Sequence, residues 1–244
     1  MSNEHSKLPP DRLWQPTTAK WFFVVFGACV AYAIVRYHFA GDVAWRHFPL
    51  FILNKATSLA AVIFVACSYL IGKIIHWHDD DRALRLVVIK FCGLVGFFLA
   101  AVHAFFSLAL LSPAYYAKYF DDGGQLNLQG ELALAVGVLA LFFLLAPALM
   151  SLPMMPKALG GKRWKRGQHG GYVALTLVVV HLVVFGWKGW LAPIGWHGGL
   201  PPISLVAVVV ALVPLLVKRR QVRDKREQRK ERAEAGKGES SHGS

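Results

Sequence analysis

Six stretches of the chain are almost uninterruptedly apolar: about 20–37, 50–75, 85–112, 131–152, 170–190 and 201–217. As helices rising roughly 1.5 Å per residue, each is long enough to cross about 30 Å of hydrocarbon. Together they take up most of the 244 residues. The predicted fold is therefore an all-α membrane protein, a six-transmembrane-helix bundle. Little chain remains for a soluble nucleotide-binding domain, and neither a G-x-G-x-x-G nor a P-loop pattern occurs. The pattern divides the chain into an N-terminal segment at 1–19, a six-span domain at 20–217 and a basic, partly disordered tail at 218–244.

Polar punctuation supports the same division. Outer loops fall at about 38–49, 113–130 and 191–200, the second carrying the turn signal Asp121-Asp122-Gly123-Gly124. Inner loops fall at about 76–84 and 153–169, the latter with Pro153, Pro156 and a Gly160-Gly161 break. Trp21, Tyr37, Trp45, Trp77, Tyr115, Tyr116, Trp164, Trp187 and Trp190 flank spans, as interfacial anchors do. Residues 1–20 lack a short apolar core followed by a small-residue cleavage site, so the first span is expected to be retained.

The net charge of +13 could suggest nucleic acid, but its placement argues for membrane topology. With the N-terminus inside, the inner segments hold 21 Lys and Arg. The outer segments hold only Arg36, Arg46, Lys118 and Lys188, while Lys55 and Lys90 lie within spans. The positive-inside rule then puts both ends in the cytoplasm. The tail from Lys218 reads as a topology determinant near anionic lipid, and no nucleic-acid partner is expected. Cys29, Cys67 and Cys92 all fall inside spans and imply no disulfide framework.

Two histidines stand out against this background. His103 lies in Leu99-Ala100-Ala101-Val102-His103-Ala104-Phe105 and His181 in Val178-Val179-Val180-His181-Leu182-Val183. Ionisable groups at that depth are costly and mark functional sites. Spans three and five run parallel, and the residues lie roughly 15 and 14 Å below the same outer face. Alone, either could be a histidine bonded to a neighbouring helix. Together, at matched depth in apolar surroundings, they point to metal or haem iron. Zinc would want a third and a fourth ligand. Bis-histidine haem needs two, and Gly93, Gly96, Ala100 and Ala104 would make room for a flat macrocycle. Lys55 would either snorkel outward or pair with a haem propionate, with Arg36 and Arg46 as alternatives.

His169 sits twelve residues before His181, about 18 Å along a helix and about 120° around it. It is the candidate for a second haem site, with His76 and His78 on the same side. His38, His47 and His197 lie on the outer side, where a docking, quinone or propionate role is open to them. His5 and His242 lie in the tails.

The stretch Leu159-Gly160 through Trp164, Gln168-His169, Tyr172 and His181 resembles the ferric reductase-like transmembrane family. Within it the likeness is greatest to the haem-binding membrane subunit of the protein-methionine-sulfoxide reductase system. His103 matches that family's third-span histidine. Gln168 falls in the column of its first span-five histidine, with His169 one position later. The resemblance implies a bacterial inner-membrane protein holding one or two b-type haems. It implies electron uptake from a cytoplasmic flavin reductase or membrane quinol, room for FMN, and delivery to a periplasmic redox partner or ferric iron. His103 and His181 are then the axial ligands and His169 the second-site ligand. The chain would serve as an electron-transfer subunit of an oxidoreductase system. Two other readings stay open: a small transporter with a histidine proton relay, and a non-redox membrane anchor.

Overall fold

A computed structural model of the chain describes residues 16–74, 82–152 and 154–241. His5, His76, His78 and His242 lie outside the described residues. Among those described, six helices are long and apolar enough to cross a membrane, and no strand forms. They are α1 (Pro16–Ile34), α2 (Leu53–Ile74), α3 (Arg82–Ala109), α5 (Leu128–Met150), α6 (Met155–Trp190) and α7 (Ile203–Ser241), with a four-residue α4 (Pro113–Tyr116) between α3 and α5. π-helical turns extend α1 over Val35–Phe39 and precede α2 over Phe48–Ile52. Helix is the form a chain takes in hydrocarbon, because it satisfies each main-chain N–H and C=O within its own segment.

Five spans close a ring in the order α2, α3, α5, α6, α7 and back to α2, and α1 packs outside against α2. α2 is the most buried span. Continuing from Ile52 of the π-helical turn, its inward face runs Ala56, Leu59, Ala60 and Phe64, a three- and four-residue spacing of buried side chains. The outward positions, such as Phe23, Phe98, Phe105, Phe142 and Leu216, are exposed and apolar, as a lipid-facing surface requires.

Two antiparallel pairs set the register of the site. Along α2 and α3, Arg85 donates to the Gly72 carbonyl, Gly96 lies against Ala61 and Val65, and His103 meets Asn54. Gly96 lets the backbones come together, since a Cβ there would stand 2.8 Å from the Val65 nitrogen and 3.2 Å from the Ala61 oxygen. Along α5 and α6, Trp164 Nε1 donates to the Met150 carbonyl at 2.8 Å, His181 meets Ala133, and Gln129 Nε2 donates to the Val184 carbonyl at 2.7 Å.

The predicted inner loop at 153–169 is largely helical. α6 begins at Met155, and only Gly160, at φ 69°, leaves helical geometry. The basic run Lys162–Arg166 stays helical because Trp164 anchors it to the end of α5 while the charged side chains remain outside. Likewise α7 passes through Lys218 to Ser241 as one helix, so the boundary at 217 and 218 is a change of composition rather than of secondary structure.

Because Gly96 sits against main-chain atoms that cannot rotate away, Gly96→Leu is expected to destabilise the α2–α3 pair by about 1–3 kcal/mol. A heated-detergent size-exclusion assay should give a lower melting midpoint for Gly96→Leu. Gly27→Leu, where a Cβ meets nothing within 4 Å, should leave the midpoint unchanged.

Candidate functional site

A histidine in hydrocarbon must find partners for its polar nitrogens or bear the cost of leaving them bare. His103 on α3 finds one in Asn54, the second residue of α2, just beyond the π-helical turn. Its Nδ1 lies 2.6 Å from Asn54 Oδ1. Asn54 is about 1% exposed, and its amide donates in turn to Ser107 Oγ at 3.1 Å, one turn beyond His103 on α3. Ser107 Oγ also stands 3.4 Å from His103 Nδ1, closing a small polar triangle inside an apolar bundle.

His181 on α6 finds its partner in the main chain of α5. Its Nδ1 lies 2.8 Å from the Ala133 carbonyl oxygen, whose second lone pair is free to accept beside the helical bond. Gly137, one turn on, makes this approach workable. A Cβ there would stand 3.0 Å from His181 Nδ1 and 3.1 Å from its Cε1. The other side of the ring lies on Phe185, centroids 6.1 Å apart and planes within 23°.

Both imidazoles therefore direct Nδ1 at a carbonyl oxygen, which only Nδ1–H can satisfy. Each Nε2 is left with its lone pair. Phe185 links the His181 ring to Lys55, whose Nζ lies 5.0 Å from the centroid of that same phenyl ring. Just inward of the two histidines is a small apolar cavity of ≈ 40 Å³. It is lined by Ala61, Val62 and Val65 of α2, Ala100 of α3, Leu144 of α5 and Ala174, Leu175 and Val178 of α6. Ala100 and Val178 each lie three residues before their histidine. Among the described residues no three His, Cys, Asp or Glu side chains converge in a metal-ligand group. The donor set is thus two imidazole nitrogens on separate spans, the number that axial ligation of a haem takes and fewer than a tetrahedral zinc site takes. The cavity is smaller than a macrocycle, so seating one would require the helices that bear the ligands to part.

The other expected residues are placed as follows. Lys55 Nζ lies over the rings of Phe51, Tyr116 and Phe185 at 5.2, 5.1 and 5.0 Å, next to the histidine pair. His169 is exposed on α6, its ring 6.3 Å from that of Tyr172, and is not brought to His103 or His181. The Gln168 main-chain oxygen accepts from Tyr69 at 3.0 Å. Tyr69 and Tyr172 pack with ring centroids 4.6 Å apart and planes tilted by 56°, Lys73 donates to the Tyr172 hydroxyl, and Lys218 lies 5.3 Å above the same ring. Arg36 is buried and donates to the Leu200 and His197 carbonyls, tying the last outer loop to the end of α1. Arg46 donates to His47 Nε2, His47 Nδ1 meets the Tyr115 hydroxyl at 3.1 Å, and His38 Nδ1 donates to the Val43 carbonyl at 2.7 Å. Asn54, Ser107, Gly137 and the Ala133 carbonyl were not singled out by the sequence pattern.

No family model matches the chain. It is similar to curated metalloreductases. Identity to Metalloreductase STEAP2 is 26%, over 200 residues for the Mus musculus protein and over 196 for the Homo sapiens protein. Identity to Metalloreductase STEAP3 of Rattus norvegicus is 28% over 202 residues. Each alignment takes in 70% of this chain and 40% of the relative, so the chain spans well under half the length of these relatives.

At the same end of the bundle as Lys55, Lys118 donates to the Phe185 carbonyl at 3.2 Å. Although the residue is exposed, partial desolvation of its ammonium against the Tyr119 and Phe185 rings holds it below the usual lysine pKa, and the charges of Lys55 and Lys188 push it further down. Burial also raises the Tyr119 phenol, whose hydroxyl donates to the same carbonyl. A lysine whose folded pKa is depressed opposes folding while protonated and ceases to do so as pH rises through its folded value toward the unfolded one. Thermal midpoints taken at pH 7.5 and about 9.5 should therefore rise by more in the parent protein than in Lys118→Gln. An equal or smaller rise in the parent would contradict this assignment.

Proposed function

We propose that the chain is a membrane electron-transfer protein that holds b-type haem between His103 and His181. The observation that carries this reading is the matched commitment of both Nδ1 atoms to carbonyl oxygens, which leaves each Nε2 lone pair free for iron. Metal-bound histidines almost always donate their other ring N–H in this way. Bound haem supplies a one-electron Fe(III)/Fe(II) couple.

The chain's own residues do the rest. His103 and His181 ligate. Asn54 and the Ala133 carbonyl hold the imidazoles in one tautomer. Gly137 clears the space His181 needs, and Phe185 backs its ring. Ala, Val and Leu of α2, α3, α5 and α6 exclude water. Lys55, held over three rings rather than snorkelling away, offers positive charge to an anionic edge of the cofactor such as a propionate.

The orientation follows from charge, and the direction of transfer from the cytoplasmic donors that the family resemblance implies. With the Lys- and Arg-rich ends facing the cytoplasm, electrons enter from a flavin reductase or membrane quinol near Tyr69, Tyr172, Lys73 and Lys218. FMN would sit on that side. They leave at the face carrying Lys118 and Lys188. The similarity to metalloreductases favours a metal ion such as ferric iron as acceptor. The resemblance to the haem-binding subunit of the methionine-sulfoxide reductase system favours a periplasmic reductase partner. A bacterial inner-membrane setting goes with the second. The same domain division is kept: 20–217 carries the haem, and 1–19 and 218–244 lie in the cytoplasm.

Protein purified from haem-replete cells should show reducible b-type Soret and α bands. His103→Ala or His181→Ala should abolish them, and colourless parent protein would overturn the reading. His169→Ala tests a second site. A fall in haem-to-protein ratio from two toward one assigns His169 as a ligand, whereas an unchanged ratio of one leaves a single haem. Gly137→Val should displace the His181 ring and lower haem occupancy, with Gly27→Val as the silent control. Stopped-flow reoxidation of the reduced protein by a ferric chelate, against a methionine-sulfoxide reductase, separates the two acceptors.

A further inference from the structure

We infer that Asn54 is a positioning residue that sets the reduction potential of the His103–His181 site, an inference that rests on the haem reading above. The two ligands are supported differently. His181 leans on a main-chain carbonyl that α5 supplies whatever side chain stands at 133. His103 leans on one side chain, 49 residues away in sequence, and on the shorter of the two contacts, 2.6 Å against 2.8 Å.

Asn54 is held for this task from three directions. Its Nδ2 donates to Ser107 Oγ, which orients Oδ1 toward His103. Thr57 Oγ1 donates to its main-chain oxygen at 3.0 Å. Its side chain is sealed from solvent among apolar residues. A primary amide buried in hydrocarbon persists only where both its ends are bonded. The alternative acceptor for His103 Nδ1, Ser107 Oγ at 3.4 Å, is a longer and weaker partner than Oδ1 at 2.6 Å.

The chemical consequence has a sign. Donation from Nδ1–H makes the opposite nitrogen a stronger base. A stronger base favours the more positive iron, so the bond to Asn54 holds the potential down. Removing the acceptor raises the potential, and replacing it with a carboxylate lowers it further. A residue that merely glued α2 to α3 would move the potential without regard to the charge at position 54.

The test is spectroelectrochemical titration of the full chain in nanodiscs, for the parent, Asn54→Leu, Asn54→Asp and Ser107→Ala. The midpoint should rise in Asn54→Leu and fall in Asn54→Asp. It should rise by less in Ser107→Ala, where the amide survives but loses its tether. Haem transfer to apomyoglobin should be about 10–100-fold easier from Asn54→Leu. Shifts of the same sign in the Leu and Asp variants, or haem-loaded variants with the parent potential, overturn the role of Asn54 while leaving the haem reading intact. Should Asn54→Leu not fold, opposite shifts in Asn54→Asp and Ser107→Ala carry the inference, and matching ones sink it. Parent protein that binds no haem sinks the haem reading itself, and this inference with it.

Discussion

An imidazole within a bilayer cannot turn to water, so the position of every acceptor around it decides which of its nitrogens remains available. The arrangement of the bundle follows from meeting that demand twice. One acceptor comes from a side chain on α2, the other from the main chain of α5, and the rings come from α3 and α6. Two antiparallel registers bring each ring to its acceptor. Gly96 and His103 lie two turns apart on α3, as do Ala61 and Asn54 on α2. The close approach at the glycine and the bond at the histidine are thus two points on one seam. On the second seam Trp164 and Gln129 bracket the contact of His181 with Ala133.

The histidine pair and the six spans are legible in the sequence because both signals are extreme. A run of twenty apolar residues has few alternatives, and an ionisable group inside one contrasts sharply with its neighbours. Asn54 carries no such contrast. It sits near the start of a span beside Lys55, where polar residues are ordinary, and its partner lies in another helix. The Ala133 carbonyl has no side-chain signature. Gly137 gains meaning only once His181 is known to pack on α5. The inner segment at 153–169 reads as a loop because prolines, paired glycines and basic residues cluster there. Local propensity loses to tertiary contact once Trp164 reaches the end of α5. His169 carries the right chemistry, yet the helical phase that points His181 at α5 leaves it exposed beside Tyr172.

Each end of the bundle carries lysines packed on aromatic rings, but the two differ in construction. At one end Lys55 and Lys118 lie against aromatic faces, with Phe185 common to both. That ring also stacks on His181, so the cationic cluster is mechanically continuous with that imidazole. At the other end Lys73 and Lys218 share Tyr172, which packs on Tyr69. Charge carried on aromatic faces keeps ammonium groups near the hydrocarbon boundary.

The π-helical turn over Phe48–Ile52 runs straight into the helix that presents Asn54. A π turn is an α-helical turn with one residue too many, accommodated without disturbing the helix beyond. Phe48 and the Trp45–His47 turn before it are consequently out of phase with α2 by about one residue, or roughly 100°. A single-residue deletion in this stretch would relax the turn into ordinary helix and swing the outer loop around the bundle, while Asn54 stayed where its bonds hold it. Insertions and deletions in related chains would then be tolerated on the loop side of residue 52 and excluded beyond it, a boundary in evolutionary freedom drawn by helical phase.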